Sequence, residues 1–229
     1  MDQKKLIKGA LALLVLAAVV VGILWGTGVI GGKTEQVKAE AAPATLRDWF
    51  GGVSGYTYLN QPAGLGCVLD EWLFYGEEDV LSLTEGLAAE DMDLEVREAL
   101  AKTAEKSAVV MMAMSSDTMK NVTMTIMDTT DYQEELASTG LKGQLEMIRN
   151  STEAYFSTYG AEDVACELME RDIGGETYLG LEFSCTYQGM PIYQKELAVI
   201  RGDIMVMVTV TSYKTDETES VLEHFVAVR

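Results

Sequence analysis

Residues 164–213 read VACELMERDIGGETYLGLEFSCTYQGMPIYQKELAVIRGDIMVMVTVTSY, and this stretch decides the fold. Gly174-Gly175, Gly189-Met190-Pro191 and Gly202-Asp203 supply turn geometry. They divide the stretch into four strands: Val164–Arg171, Glu176–Tyr187, Ile192–Ile200 and Ile204–Tyr213. The last alternates with a period of two. Ile204, Val206, Val208 and Val210 fall on one face, Met205, Met207, Thr209 and Thr211 on the other. Such a meander leaves an apolar face that helices or a second sheet must cover.

Working outward, Leu141–Tyr159 predicts the best helix of the chain. Leu141, Leu145, Ile148, Tyr155 and Tyr159 mark one stripe, and Gly160 is its stop. Beyond the meander, Thr215-Asp216-Glu217 opens a final helix with Val221, Leu222, Phe225 and Val226 inward and His224 within it. Upstream, Tyr56–Asn60 and Cys67–Phe74 read as a strand pair around Gln61–Gly66, the second strand placing Val68, Asp70, Trp72 and Phe74 on one face. Glu77-Glu78-Asp79 precedes Val80, Leu81 and Leu83 as the acidic first turn of a helix. Leu94–Ser107 is a second helical stretch, with Glu98 and Lys102 one turn apart. Val109–Ser115 and Asn121–Asp128 are two further strands. They carry Met111, Met112, Met114, Met119, Met124 and Met127. Thioether clusters hold Cu(I), but these lie on both faces without His or Cys beside them, which suits adaptable core packing instead.

The amino end is different in kind. Lys4, Lys5 and Lys8 precede Ala10–Gly32, a run without any charge. A helix needs about 20 apolar residues to cross a bilayer, and flanking lysines favour the cytoplasmic side. The expectation is a cytoplasmic amino terminus at 1–9, a transmembrane signal anchor at 10–32, a linker at 33–55 and an extracytoplasmic domain at 56–229. A cleaved signal peptide is the rival, since residues 38–44 offer small side chains to a peptidase. Secretory apolar cores usually span only about 7–15 residues, which favours the anchor. Trp49 and Phe50 either rest at the membrane interface or tuck into the domain; the latter is the expected reading.

The chain of 229 residues carries a net charge of −19. Without Asp2 and the three early lysines, 35 acidic face 14 basic residues, a net charge of −21. Such a surface repels nucleic acid and anionic headgroups and confers solubility. Cys67, Cys166 and Cys185 form an odd set that excludes a complete disulfide framework. A symmetric turn at Gly174-Gly175 pairs residue 166 with 183, so Cys166 and Cys185 become diagonal neighbours. That separation disfavours a bridge and favours buried free thiols.

Catalytic chemistry has little to stand on. His224 is the single histidine and no Gly-x-Ser-x-Gly occurs, so a triad has no base beside a nucleophile. Zinc ligands at short spacing are absent from the sequence. Gly64-Leu65-Gly66 lacks the following helix of a phosphate loop. Asp70-Glu71 and Glu134-Glu135 are adjacent acids in an acidic protein, and Asp128, Asp131 and Glu134 lack the glycine of a calcium loop. Asn121-Val122-Thr123 and Asn150-Ser151-Thr152 match glycosylation sequons, of meaning only in a eukaryotic secretory pathway. No catalytic, cofactor or metal residue is assigned.

The order strand pair, helices, strand pair, long helix, four-strand meander, terminal helix resembles the PsbP-like fold. The resemblance rests on Tyr58-Leu59-Asn60, Gly64-Leu65-Gly66, Trp72, the helix Leu141–Tyr159 and Gly189 in the meander's central turn. It implies an α+β domain, an antiparallel sheet covered by helices in an α/β/α sandwich, with no shared catalytic set. It further implies a membrane-tethered accessory or binding domain, nothing narrower. With the anchor, the acidic surface and the missing catalytic constellation, the first reading is a non-catalytic module for a protein partner or small ligand, without cofactor or nucleic acid. A structural or stress-linked envelope component is the second reading, and a carboxylate- or metal-dependent enzyme the third.

Overall fold

The computed structural model describes residues 44–75, 106–158, 160–187 and 189–228. The expected span at 10–32, the helix expected after Glu77 and all of the helix expected at Leu94–Ser107 but its last two residues lie outside these residues; Ser107 opens a strand instead. Among the described residues, no helix is long and apolar enough to cross a membrane.

The described residues are mostly antiparallel β-structure with few helices. After a 3-10 turn at Ala44–Trp49, the chain forms β1 (Gly52–Ser54), β2 (Thr57–Asn60), β3 (Leu65–Val68) and β4 (Leu73–Phe74). It continues with β5 (Ser107–Met114), β6 (Lys120–Asp128) and α1 (Gln133–Thr158). The meander follows as β7 (Ala161–Ile173), β8 (Glu176–Tyr187), β9 (Met190–Arg201) and β10 (Ile204–Tyr213). A short α2 (Thr218–Leu222) and β11 (Phe225–Ala227) close the fold. A large sheet has the order β4-β5-β6-β10-β9-β8-β7 and a small one the order β1-β2-β3-β11.

The meander is where the sequence places it, and β10 lies centrally because β6 pairs along its free edge from Ile204↔Asp128 to Ser212↔Lys120. The Gly174-Gly175 turn sets Cys166 opposite Phe183, so Cys185 is diagonal to it, and all three cysteines are free. Helix α1 is broken at Gly140, whose φ of 68° and ψ of 168° suit glycine alone. Its long part begins at Leu141, as the stripe predicts, while Gln133–Thr139 adds an earlier helical segment.

The two faces of the large sheet are covered differently. On one, Val206, Val208 and Val210 join Val122, Met124, Ile126 and Leu197 against Tyr58, Leu65 and Cys67 of the small sheet. Leu46, Val221, Leu222 and Phe225 complete this core. Each fully buried side chain of this type contributes roughly 1.5–3 kcal/mol. On the other face, α1 lies over β7 and β8 through Leu145 and Ile148 against Leu181. The α/β/α expectation therefore needs correction: among the described residues, one cover is a second sheet. The reason is local. Glu71 adopts a φ of 64°, which breaks the expected strand Cys67–Phe74. Its first half stays in the small sheet, and Leu73–Phe74 crosses to the large one.

The carboxyl end differs as well. The helix stops at Leu222, and Phe225–Ala227 pairs with Leu65–Cys67 as a strand. Phe225 is buried, but Val226 points outward and is 46% exposed. His224 lies in the turn between them, exposed, its carbonyl accepting from the Val68 amide. Asp216 initiates α2 by accepting from the Thr218 amide and hydroxyl. Glu219 then pins α2 to the sheet by ion pairs to Arg171 and Lys195. Leu46 is fully buried, and Trp49 and Phe50 pack against the first core, so the entry segment belongs to the globule upstream of Tyr56.

Candidate functional site

Cross-strand register builds the site. On the helix-covered face of the large sheet, Thr123 on β6, Thr209 on β10 and Glu196 on β9 form one row. Asn121, Thr211 and Gln194 form the next. Strands about 4.8 Å apart and rows about 6.7 Å apart make this a polar panel of roughly 10 by 7 Å. Its frame is largely apolar. Met112 and Met114 on β5 flank it on one side, and Leu181 and Phe183 on β8 on the other. Thr125, Met207 and Ala198 bound one end; Tyr213, Ile192 and Cys185 bound the other.

The panel is buried and incompletely satisfied. Asn121 and Gln194 are 1% exposed, Tyr213 6% and Glu196 8%. The Thr211 hydroxyl donates to Gln194 Oε1 at 3.3 Å. Gln194 Nε2 and Glu196 Oε2 make no hydrogen bond, and Asn121 and the Tyr213 hydroxyl share only a loose contact that draws the hydroxyl's pKa down without a close bond. Leaving such a group unpaired in an interior costs about 1–3 kcal/mol. Several such groups in one patch are a large penalty for a fold stable by only about 5–15 kcal/mol.

Electrostatics follow from that burial. Desolvation alone pushes the Glu196 carboxyl up to about 7. Burial raises the Tyr213 hydroxyl, with Asn121 pulling it partly back. Cys166 is pushed up to about 11, chiefly by burial; the Thr152 contact opposes this and the Glu196 charge adds to it. Cys185 also rises to about 11 through burial. Both thiols are protonated at neutral pH and poor nucleophiles.

Helix α1 forms the wall on the β8 side. Leu141 packs toward Ala198 and Met207, Leu145 and Ile148 toward Leu181, and Phe156 on Phe183 with ring centroids 4.5 Å apart. Thr152 is buried, its hydroxyl donating to the Ile148 carbonyl at 2.8 Å. Beneath the same helix a cleft of about 270 Å³ is lined by Lys142, Leu145, Leu168, Met169, Glu170 and Leu179. Lys142 and Glu170 meet at 3.6 Å, both well exposed.

The residues weighed in the sequence lie elsewhere. Asp128 accepts from the Thr130 amide and hydroxyl, which lowers its pKa, while Asp131 pairs with Lys106 at 2.8 Å and Glu134 is exposed. Asp70 and Glu71 are exposed in a turn. Gly64 also turns, with a φ of 66°, and Gly66 sits inside β3. Met111 and Met124 pack in the first core and Met112 in the second. The first sequon asparagine is Asn121 itself, buried in the sheet. Asn121, Gln194 and Glu196 were not legible as a group. Their only trace is Thr209 and Thr211 alternating with the inward valines of β10; pairing supplies the rest.

No family model matches the chain. No curated protein matches it either. Among solved structures, similarity extends to a Bacteroides thetaiotaomicron protein with 13% identity and a TM-score of 0.37, over 77% of this chain and 50% of that one. A Pseudomonas aeruginosa protein of unknown function is 12% identical with a TM-score of 0.26, over 45% of this chain and 63% of that one. LpqN of Mycobacterium tuberculosis, involved in cell envelope biogenesis, is 10% identical with a TM-score of 0.36, over 78% of this chain and 87% of that one. The chain thus spans about half to two thirds of the first two proteins. These likenesses are weak and carry no functional argument; they leave the PsbP-like resemblance where the sequence put it.

Proposed function

We propose that this protein is a non-catalytic binding domain, held on the outer side of a membrane by residues 10–32, that takes a small polar ligand over the panel. The carrying observation is the set of buried groups left short of close hydrogen bonds: those of Asn121, Gln194, Glu196 and Tyr213. Small-molecule sites combine an apolar lining with a few placed polar groups, and the frame around this panel has that composition. Among the described residues, nothing beside it supplies a nucleophile and base: burial keeps the thiols protonated, and Glu196 is the single carboxyl of the two rows. The uncharged run Ala10–Gly32 and the acidic remainder support the tethered, extracytoplasmic placement. The PsbP-like reading agrees with an accessory role. Because the panel is buried, entry requires a local opening of its cover, of the kind that native proteins undergo below the cost of global unfolding.

The test is side-chain amide NMR of Asn121 and Gln194 while small polar compounds are titrated into the soluble domain. Saturable shifts at both amides are expected. Titrations that leave both unmoved, while other surface amides respond, contradict the reading.

A further inference from the structure

We propose that the ligand of the panel is a small organic cation: an ammonium group for Glu196, with neighbouring hydroxyl or amide groups for Asn121 and Gln194. The proposal rests on the binding reading above and deepens it. Three observations carry it.

The first is charge. Glu196 is the sole carboxyl in the two rows, and no hydrogen bond or ion pair from the protein reaches its Oε2. Among the described residues, Lys142 of the wall pairs with Glu170, and the Arg149 guanidinium donates to the Asn150 side-chain oxygen at 3.0 Å and acts on Cys166. The other titratable groups facing the panel, Cys166, Cys185 and Tyr213, are neutral at physiological pH. Once ionised, a buried carboxylate needs a positive partner, and an ammonium-bearing ligand supplies one.

The second is the hydrogen-bond inventory. Gln194 Nε2 and Asn121 Nδ2 offer donors, and Asn121 Oδ1 and the Tyr213 hydroxyl offer acceptors, on both sides of the Thr211–Gln194 bond. A bare alkylammonium leaves these groups unmet; one bearing a hydroxyl or amide meets them. The third is the surrounding field. A domain of net charge −21 raises the local concentration of cations and repels anions.

Charge pairing gives this class of ligand a signature that a neutral one lacks. An ammonium ion favours the ionised carboxylate. Affinity therefore rises about tenfold per pH unit up to about 7 and levels off above it. Binding below that point expels one proton from Glu196.

The experiment uses two matched pairs, serinol against glycerol and aminocyclohexanol against cyclohexanediol, each differing by an ammonium in place of a hydroxyl. Binding is read by the Asn121 and Gln194 amide shifts and by calorimetry in buffers of different ionisation heat. The amines are expected to bind at least about a hundredfold tighter than their partners at pH 8, with that advantage lost by Glu196→Gln. Glu196→Gln removes a buried charge, so its fold is retained; a thermal melt checks this. Gln194→Ala is a second variant that keeps the carboxylate and is expected to weaken both members of each pair.

Equal binding of amine and alcohol overturns the cationic assignment while the binding reading stands. Binding that Glu196→Gln leaves unchanged overturns it likewise. If no compound of either pair moves the two amides, the proposal and the reading beneath it both fail.

Discussion

The two faces of the large sheet share the same strands yet follow opposite rules. On the small-sheet side, buried polar groups are answered. Asn60 is fully buried, its amide donating to the Trp49 carbonyl at 2.7 Å and the Tyr58 hydroxyl at 2.9 Å, its oxygen accepting from the Ala63 amide at 2.9 Å. On the helix side, Asn121 is as deeply buried, yet neither amide atom makes a close hydrogen bond, the Tyr213 hydroxyl meeting it only loosely. One asparagine closes a structure; the other is held open. A fold tolerates the second kind where function requires it, and stability is what it gives up.

The largest expected effect belongs to the dry face. Leu197 is fully buried opposite Gly180, where an added Cβ would meet the Glu196 carbonyl oxygen at 2.0 Å, so the backbone cannot collapse into a vacated volume. Leu197→Ala is expected to cost about 2–5 kcal/mol in urea unfolding. A loss below about 1 kcal/mol would show that this face is not the packed core.

The next effect is one of pH and belongs to the panel. The folded Glu196 carboxyl holds its proton up to about 7, against an ordinary value of 4.5. Its protonation therefore stabilises the fold: that contribution is whole below pH about 4.5 and is lost as pH rises through about 7. Over this window the parent should lose roughly 3 kcal/mol relative to Glu196→Gln. The comparison isolates Glu196 from Asp117, Asp128 and Glu219, whose lowered pKa values act in the opposite sense in both proteins. Parallel stability curves would place Glu196 in contact with water.

The two asparagines sharpen the contrast further. Asn60→Ala orphans a buried amide and a buried carbonyl, an expected loss of about 2–3 kcal/mol. Asn121→Ala breaks no close hydrogen bond, only the loose contact with the Tyr213 hydroxyl, and should change stability by less than about 1 kcal/mol. Equal losses from the two would erase the distinction between the faces.

Much of the dry face was legible in the sequence, because alternation along one strand is local information. Val206, Val208 and Val210 announce their shared side, and the glycine turns announce the register that sets Cys166 opposite Phe183. The panel was not legible, because its members lie 73 positions apart between β6 and β9 (Asn121 to Gln194, Thr123 to Glu196 by register) and become neighbours only through β10. The broken strand at Glu71 was hidden for another reason: its positive φ is a tertiary outcome on a residue with no local signal for it. The carboxyl end misled because Val221, Leu222, Phe225 and Val226 fit a helical stripe, yet the free edge of β3 offers Phe225–Ala227 a ladder.

The most direct measurement is urea unfolding at pH 8 of the double variant Gln194→Leu, Glu196→Leu against the parent. If the panel is maintained for a ligand at the expense of stability, replacing its orphaned groups by apolar ones raises the unfolding midpoint. A midpoint lower than that of the parent would mean that these groups hold the fold together, and the account would be wrong.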